Sequence, residues 1–114
     1  LDDDKNAAEK YKQAAFLYQQ EKRWVDAIAV YENLYTQTPD SSEVLGVLMF
    51  LYAMVDWQDR FVERFEALRG LYQQKLCDAS DYERITREVA SLIDPSQPYD
   101  KLWLAEWAKQ IAGS

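Results

Sequence analysis

The stretch "RWVDAIAVYENLYTQTPD", residues 23–40, decides the fold class. Ala27, Tyr31 and Pro39 stand there as a small residue, a large residue four positions on, and a stop signal eight positions after that. Residues four apart share one face of a helix. Ala27 therefore leaves room for a neighbouring helix, and Tyr31 fills the space beside it. Pro39 has no backbone N–H to continue the hydrogen-bond ladder. Ile28 and Leu34 fall on the same face, so the spacing predicts a helix from about 24 to 36 with that face inward.

Working outward, "DDDKNAAEKYKQAAFLYQQ" (2–20) is rich in helix formers and opens with three aspartates suited to a helix N-terminus. Tyr11, Ala14, Ala15 and Tyr18 recur on one helical face. After Pro39, Asp40 and Glu43 read as a capping arrangement for a helix over 41–54. Its core, "VLGVLMFLYAMV" (44–55), is apolar nearly all round, which predicts a central position. A fourth helix over 57–74 carries Phe61, Phe65, Leu68 and Tyr72 on one stripe. Ser80 and Glu83 read as the capping box of a fifth, with Tyr82, Ile85, Val89 and Leu92 inward. "DPSQPYD" (94–100) is a loop; Asp100 suits the cap of a last helix over 101–112 lined by Trp103, Trp107 and Ile111 and closed by Gly113. No stretch alternates as a strand would. The expectation is an all-α domain of about six helices, stacked as antiparallel hairpins.

Composition narrows the function. A chain of 114 residues buries one core. The formal charge of −7 lacks the basic footprint of a nucleic-acid binder and disfavours an anionic membrane surface. There is no histidine, so the commonest general base and the commonest transition-metal ligand are both missing. Cys77 is the only cysteine, which excludes an intrachain disulfide and fits a reducing, cytoplasmic compartment. No Gly-rich phosphate loop is present. Asp56, Asp59, Glu63 and Glu66 read as a solvated helix face relieved by Arg60, Arg64 and Arg69 at ion-pair spacing. No catalytic residue, cofactor or metal is expected. The chain begins at Leu1 and has no signal-peptide pattern or apolar run long enough to span a bilayer. It reads as a cytoplasmic protein, or as the soluble part of a longer, membrane-associated one.

The chain also matches itself. Tyr18 and Tyr52, Ala27 and Phe61, Tyr31 and Phe65, and Leu34 and Leu68 are each 34 positions apart. That period over two helix-turn-helix units resembles the tetratricopeptide repeat family, whose motif runs W-x2-L-G-x2-Y, then A-x3-F, then P. The first unit reads Tyr11-x2-Ala14-Ala15-x2-Tyr18, Ala27-x3-Tyr31, Pro39; the second reads Leu45-x2-Leu48-Met49-x2-Tyr52, Phe61-x3-Phe65, with Gln73 at the proline position. Trp24 and Trp57 are 33 apart, which suggests a one-residue slip in the second turn. The resemblance implies repeats over about 8–41 and 42–75, and a diverged or capping helical pair over about 80–112.

What the resemblance implies for function is a groove lined by the first helix of each hairpin. In that frame Glu9, Lys12, Phe16, Gln19 and Gln20 of the first unit face it, with Glu43, Gly46, Phe50 and Met54 of the second. The family's clamp for a C-terminal carboxylate uses Lys and Asn; Phe16 and Phe50 stand at both Asn positions, so that clamp is not carried over. Phe, Met and Gly suggest instead an apolar groove for a hydrophobic or amphipathic segment of another protein. The expected role is a non-catalytic adaptor, assembly scaffold or chaperone, of which secretion chaperones of this repeat class are one setting. The alternative is a structural unit that pairs with itself through Trp103 and Trp107 of the aromatic last helix, although the same stripe also reads as internal packing.

Overall fold

The structure is a computed structural model that describes residues 17, 20–93 and 101–113. Among the described residues there are five helices and no strand: α1 (Trp24–Gln37), α2 (Ser42–Met54), α3 (Gln58–Gln73), α4 (Ala79–Ala90) and α5 (Leu102–Gly113). The domain is all-α, with five described helices rather than six. The first expected helix, with Tyr11, Ala14, Ala15 and Tyr18, lies outside the described residues, as does Asp100.

The helices start by two different devices. Ser41 and Asp78 are extended at their ψ angles and cap α2 and α4, accepting from the N–H of Val44 at 3.2 Å and of Asp81 at 2.9 Å. Both caps differ from the expected ones. Asp40 is one residue too early for α2. Ser80 is already inside α4, where its hydroxyl donates to Asp78 Oδ1 at 2.9 Å, so the Ser80–Glu83 box does not form. By contrast α1 and α3 follow a residue in the left-handed region, Lys22 at φ 58° and Asp56 at φ 61°. Their N-caps, Arg23 and Trp57, make no side-chain capping bond. Lys22 and Asp56 are 34 positions apart, as are the two N-caps and the two helix starts. The backbone therefore does not slip in the second turn. Trp24 opens α1 whereas Trp57 precedes α3, so the two tryptophans are not equivalent. Departure from the period comes later: α3 has 16 residues against 14 in α1, and α4 begins 37 positions after α2.

α2 packs against α1, α3 and α4, the central place its all-round apolarity predicts. Seven of its 13 residues are buried, among them Leu45, Leu48, Met49 and Tyr52. α1 offers Ala27, Ile28, Tyr31 and Leu34 to it. α3 buries Phe61, Phe65, Leu68 and Leu71. Tyr72, expected on that stripe, is 40% exposed. The reason is cover: the rings of α5 reach Phe61 and Phe65, and Tyr72 instead stacks on Tyr82 of α4 at 4.5 Å. α4 buries Ile85 and Val89, while Tyr82 is half-buried and Leu92 lies past the helix end. The buried Thr86 hydroxyl is satisfied within its own helix, donating to the carbonyl of Tyr82 at 3.0 Å.

α5 is held by aromatic edges. Trp107 is buried and meets Phe61 at 5.0 Å and Phe65 at 5.4 Å between ring centres, both edge to face. Trp103 meets Phe61 at 5.0 Å and donates its indole N–H to the carboxylate of Asp56. Leu104, which the expected stripe omitted, is fully buried. No helix among the described residues is long and apolar enough to cross a membrane.

Candidate functional site

Of the residues expected to line a groove, Lys12, Phe16 and Gln19 (with Glu9) lie outside the described residues. Gln20 is exposed just before the turn that leads into α1. Gly46, Phe50 and Met54 follow one another at four-residue steps along α2 and are all half-buried, on a face that the core leaves partly open.

That face meets α4. At Gly46 the two helices come so close that a Cβ added there would lie 3.0 Å from Ile85 Cγ2. Only a glycine permits this approach without moving Ile85. Near the start of α4 the Cys77 thiol interacts with the Ser42 hydroxyl. Ser42 opens α2 and Gly46 faces Ile85, so α2 and α4 run side by side in the same direction.

Between them lies a cleft of about 320 Å³. Gly46, Val47 and Phe50 of α2 and Ile85 and Val89 of α4 form its apolar lining. Glu43, Arg84 and Glu88 stand on its rim. Arg84 is shared between Asp81 at 3.7 Å and Glu88 at 3.5 Å, and all three side chains are about half exposed or more. Gly46 and Phe50 both line this cleft, and Met54 does not. The α4 wall was missed by sequence reasoning. Its signal was present: Ile85 and Val89 are four apart, each next to a charge, Arg84 and Glu88, also four apart.

Other candidate groups have structural partners. Glu32 of α1 receives Arg64 of α3 in a two-pronged pair, at 2.8 Å from Nε and 2.6 Å from a terminal nitrogen, and the Tyr52 hydroxyl of α2 at 2.8 Å. Arg64 also lies over the ring of Tyr35, 4.8 Å from its centre. Burial pushes the Glu32 carboxyl up, but the hydrogen bonds from Arg64 and Tyr52 outweigh it and hold the group below the usual carboxylate range. Burial first, then the Glu32 carboxylate, pushes the Tyr52 phenol well above its ordinary value. Arg64 was expected to relieve carboxylates on its own helix. Arg60 and Arg69 do so, with Glu63 at 3.4 Å and Glu66 at 3.8 Å, but Arg64 faces inward and reaches α1.

Cys77 is buried in the loop between α3 and α4, and burial pushes its thiol above the ordinary value. Trp103 and Trp107 are engaged with Phe61 as described, with Trp107 buried and Trp103 half-buried. No group of three or more His, Cys, Asp or Glu among the described residues is placed to hold a metal ion. Comparison with family models, with curated proteins and with solved structures finds no match to this chain.

Proposed function

We propose that this chain is a non-catalytic protein-interaction module that binds an apolar or amphipathic segment of another protein. Its place in a larger assembly is that of an adaptor, scaffold or chaperone. The observation that carries the proposal is the cleft between α2 and α4, where Gly46 and Phe50 meet Val47, Ile85 and Val89 under a charged rim. Concave, mostly apolar grooves with a few charges at the edge are the usual receptacles for such segments.

A tetratricopeptide-like solenoid is proposed as the architecture. Its support is the shared 34-position spacing of the left-handed residues Lys22 and Asp56, of the N-caps, and of the buried pairs Ala27/Phe61 and Leu34/Leu68. In that frame Lys12, Phe16, Gln19 and Gln20 extend the same wall. The absence of histidine from the sequence supports a role without catalysis. A reduced, buried thiol at Cys77 fits a cytoplasmic setting. Self-pairing through α5 has less to draw on, since Trp107 is turned inward.

The test is titration of the wild type and of Phe50→Ala with a helical peptide of about 18 residues carrying one leucine stripe, followed by calorimetry. Binding by the wild type that falls roughly tenfold or more in the variant, with the melting temperature little changed, supports the reading. Absence of binding to the wild type, or equal binding by both, overturns it.

A further inference from the structure

We infer that Gly46 is a specificity-determining residue of the groove: its contact with Ile85 holds α2 and α4 so close that the groove takes a branched aliphatic side chain and turns away a large aromatic one. The inference rests on the proposed function, and adds to it the shape of the partner's anchor.

The chain has three glycines, and two of them, Gly46 and Gly70, lie in helix interiors, where glycine weakens the helix relative to alanine. They differ in what surrounds them. A Cβ added at Gly70 on α3 meets nothing within 4 Å among the described residues. One added at Gly46 meets three atoms of a single side chain: Ile85 Cγ2 at 3.0 Å, Cγ1 at 3.2 Å and Cδ1 at 3.4 Å. Carbon atoms rest ~3.5–4.0 Å apart, so one side would have to give. Ile85 is 3% exposed and branched at Cβ, which leaves it few rotamers to escape into. The bare backbone at Gly46 is therefore what lets α4 lie this close to α2.

Both residues also line the cleft, so the same contact sets its width. Packed helices stand ~8–10 Å apart according to the side chains between them, and a glycine places a pair at the near end of that range. The two helices run in the same direction, with Gly46 level with Ile85. One turn further along each axis, ~6 Å, Phe50 comes level with Val89, and Val47 stands beside them. The result is a slot about one turn long, walled by a ring and by branched aliphatics. A leucine of a docked helix enters such a slot by its narrow end. The fused rings of a tryptophan need the walls to part, and a Cβ at position 46 parts them by pushing on Ile85.

A helical peptide of about 18 residues with one leucine stripe is compared with the same peptide carrying tryptophan at the central stripe position. Both are titrated by calorimetry into the wild type, into Gly46→Ala, into Ile85→Ala, which opens the slot from the facing wall, and into Gly70→Ala as the control for a helical glycine. Thermal melts check that each variant folds. The wild type is expected to bind the leucine peptide roughly 10-fold or more tighter, the scale on which an apolar pocket separates side chains by size. Gly70→Ala should keep that ratio and melt ~4 °C higher, as the loss of a helix-weakening glycine predicts. Gly46→Ala should melt below Gly70→Ala, and its ratio, like that of Ile85→Ala, should fall by roughly threefold or more. An unchanged ratio in a folded cleft variant, binding lost alike for both peptides, a wild type that takes tryptophan as well as leucine, or a Gly46→Ala that gains as much as Gly70→Ala overturns the inference and leaves the groove standing. No binding of either peptide by the wild type overturns the groove and the inference with it.

Discussion

Arg60 and Arg64 sit one turn apart on α3, and truncating them is expected to have very different effects. Arg60 pairs with Glu63 at 3.4 Å, with both side chains more than half exposed. Such a pair contributes ~0–0.5 kcal/mol. Arg64 makes two bonds to Glu32 across the helix interface, and its side chain is only 17% exposed against 27% for Glu32. Arg64→Ala leaves Glu32 with the Tyr52 hydroxyl alone. Breaking a fully buried pair costs ~3–5 kcal/mol; partial solvent access here lowers that to roughly 2–3 kcal/mol, since water can reach the abandoned carboxylate. For a domain of about this size each kcal/mol moves the melting temperature by ~4 °C or more, so Arg64→Ala should melt ~8 °C or more below the wild type. Arg60→Ala should stay within about 2 °C. Thermal melts followed by circular dichroism give both shifts, and a double-mutant cycle with Glu32→Gln, read by urea unfolding, isolates the pair. Equal losses for the two arginines, or a cycle with no coupling, would refute the link between α1 and α3.

The same carboxylate predicts a pH dependence. Its folded-state value is depressed, so its contribution is present above the unfolded value and is lost as the pH falls through the folded one; the stability gap between wild type and Glu32→Gln should narrow below about pH 4 in melts run across acid pH. Ala27 is fully buried, and Ala27→Trp should cost ~1–3 kcal/mol or more by overpacking; an unchanged melting temperature would mean that no helix approaches it closely. Removing residues 96–114 strips the Trp103 and Trp107 rings from Phe61 and Phe65 and takes the buried Leu104 with them, and light scattering should then show aggregation. A soluble, equally stable truncation would show that α5 contributes little to the core.

The parts of the fold that were legible in the sequence are those written by near neighbours. The inner face of α1, Ala27, Ile28, Tyr31 and Leu34, matches the sequence expectation residue for residue, because a single periodicity records it. The central place of α2 followed from its apolarity in the same way. What was not legible depends on distant residues. Nothing local to Arg64 says that its partner is Glu32 rather than a carboxylate on its own helix. Tyr72 is in line with its stripe, yet it is exposed because α5 covers only Phe61 and Phe65. The cap of α4 moved from Ser80 to Asp78, since either side chain can accept the bond and the loop geometry chose. For the candidate cleft, Gly46 and Phe50 were legible as one face of α2, but the facing wall, Ile85 and Val89 with Arg84 and Glu88, required the packing of α4.

The central claim is that α2 and α4 together form the docking face, and amide chemical-shift mapping tests it most directly. The labelled protein is titrated with the helical peptide of about 18 residues that carries one leucine stripe. The account predicts shifts concentrated at residues 43–50 and 84–89, with little change on the outer face of α3. Shifts gathered instead around Tyr72, Tyr82 and Ile111, the crevice beside α5, would contradict it, as would a spectrum that does not change.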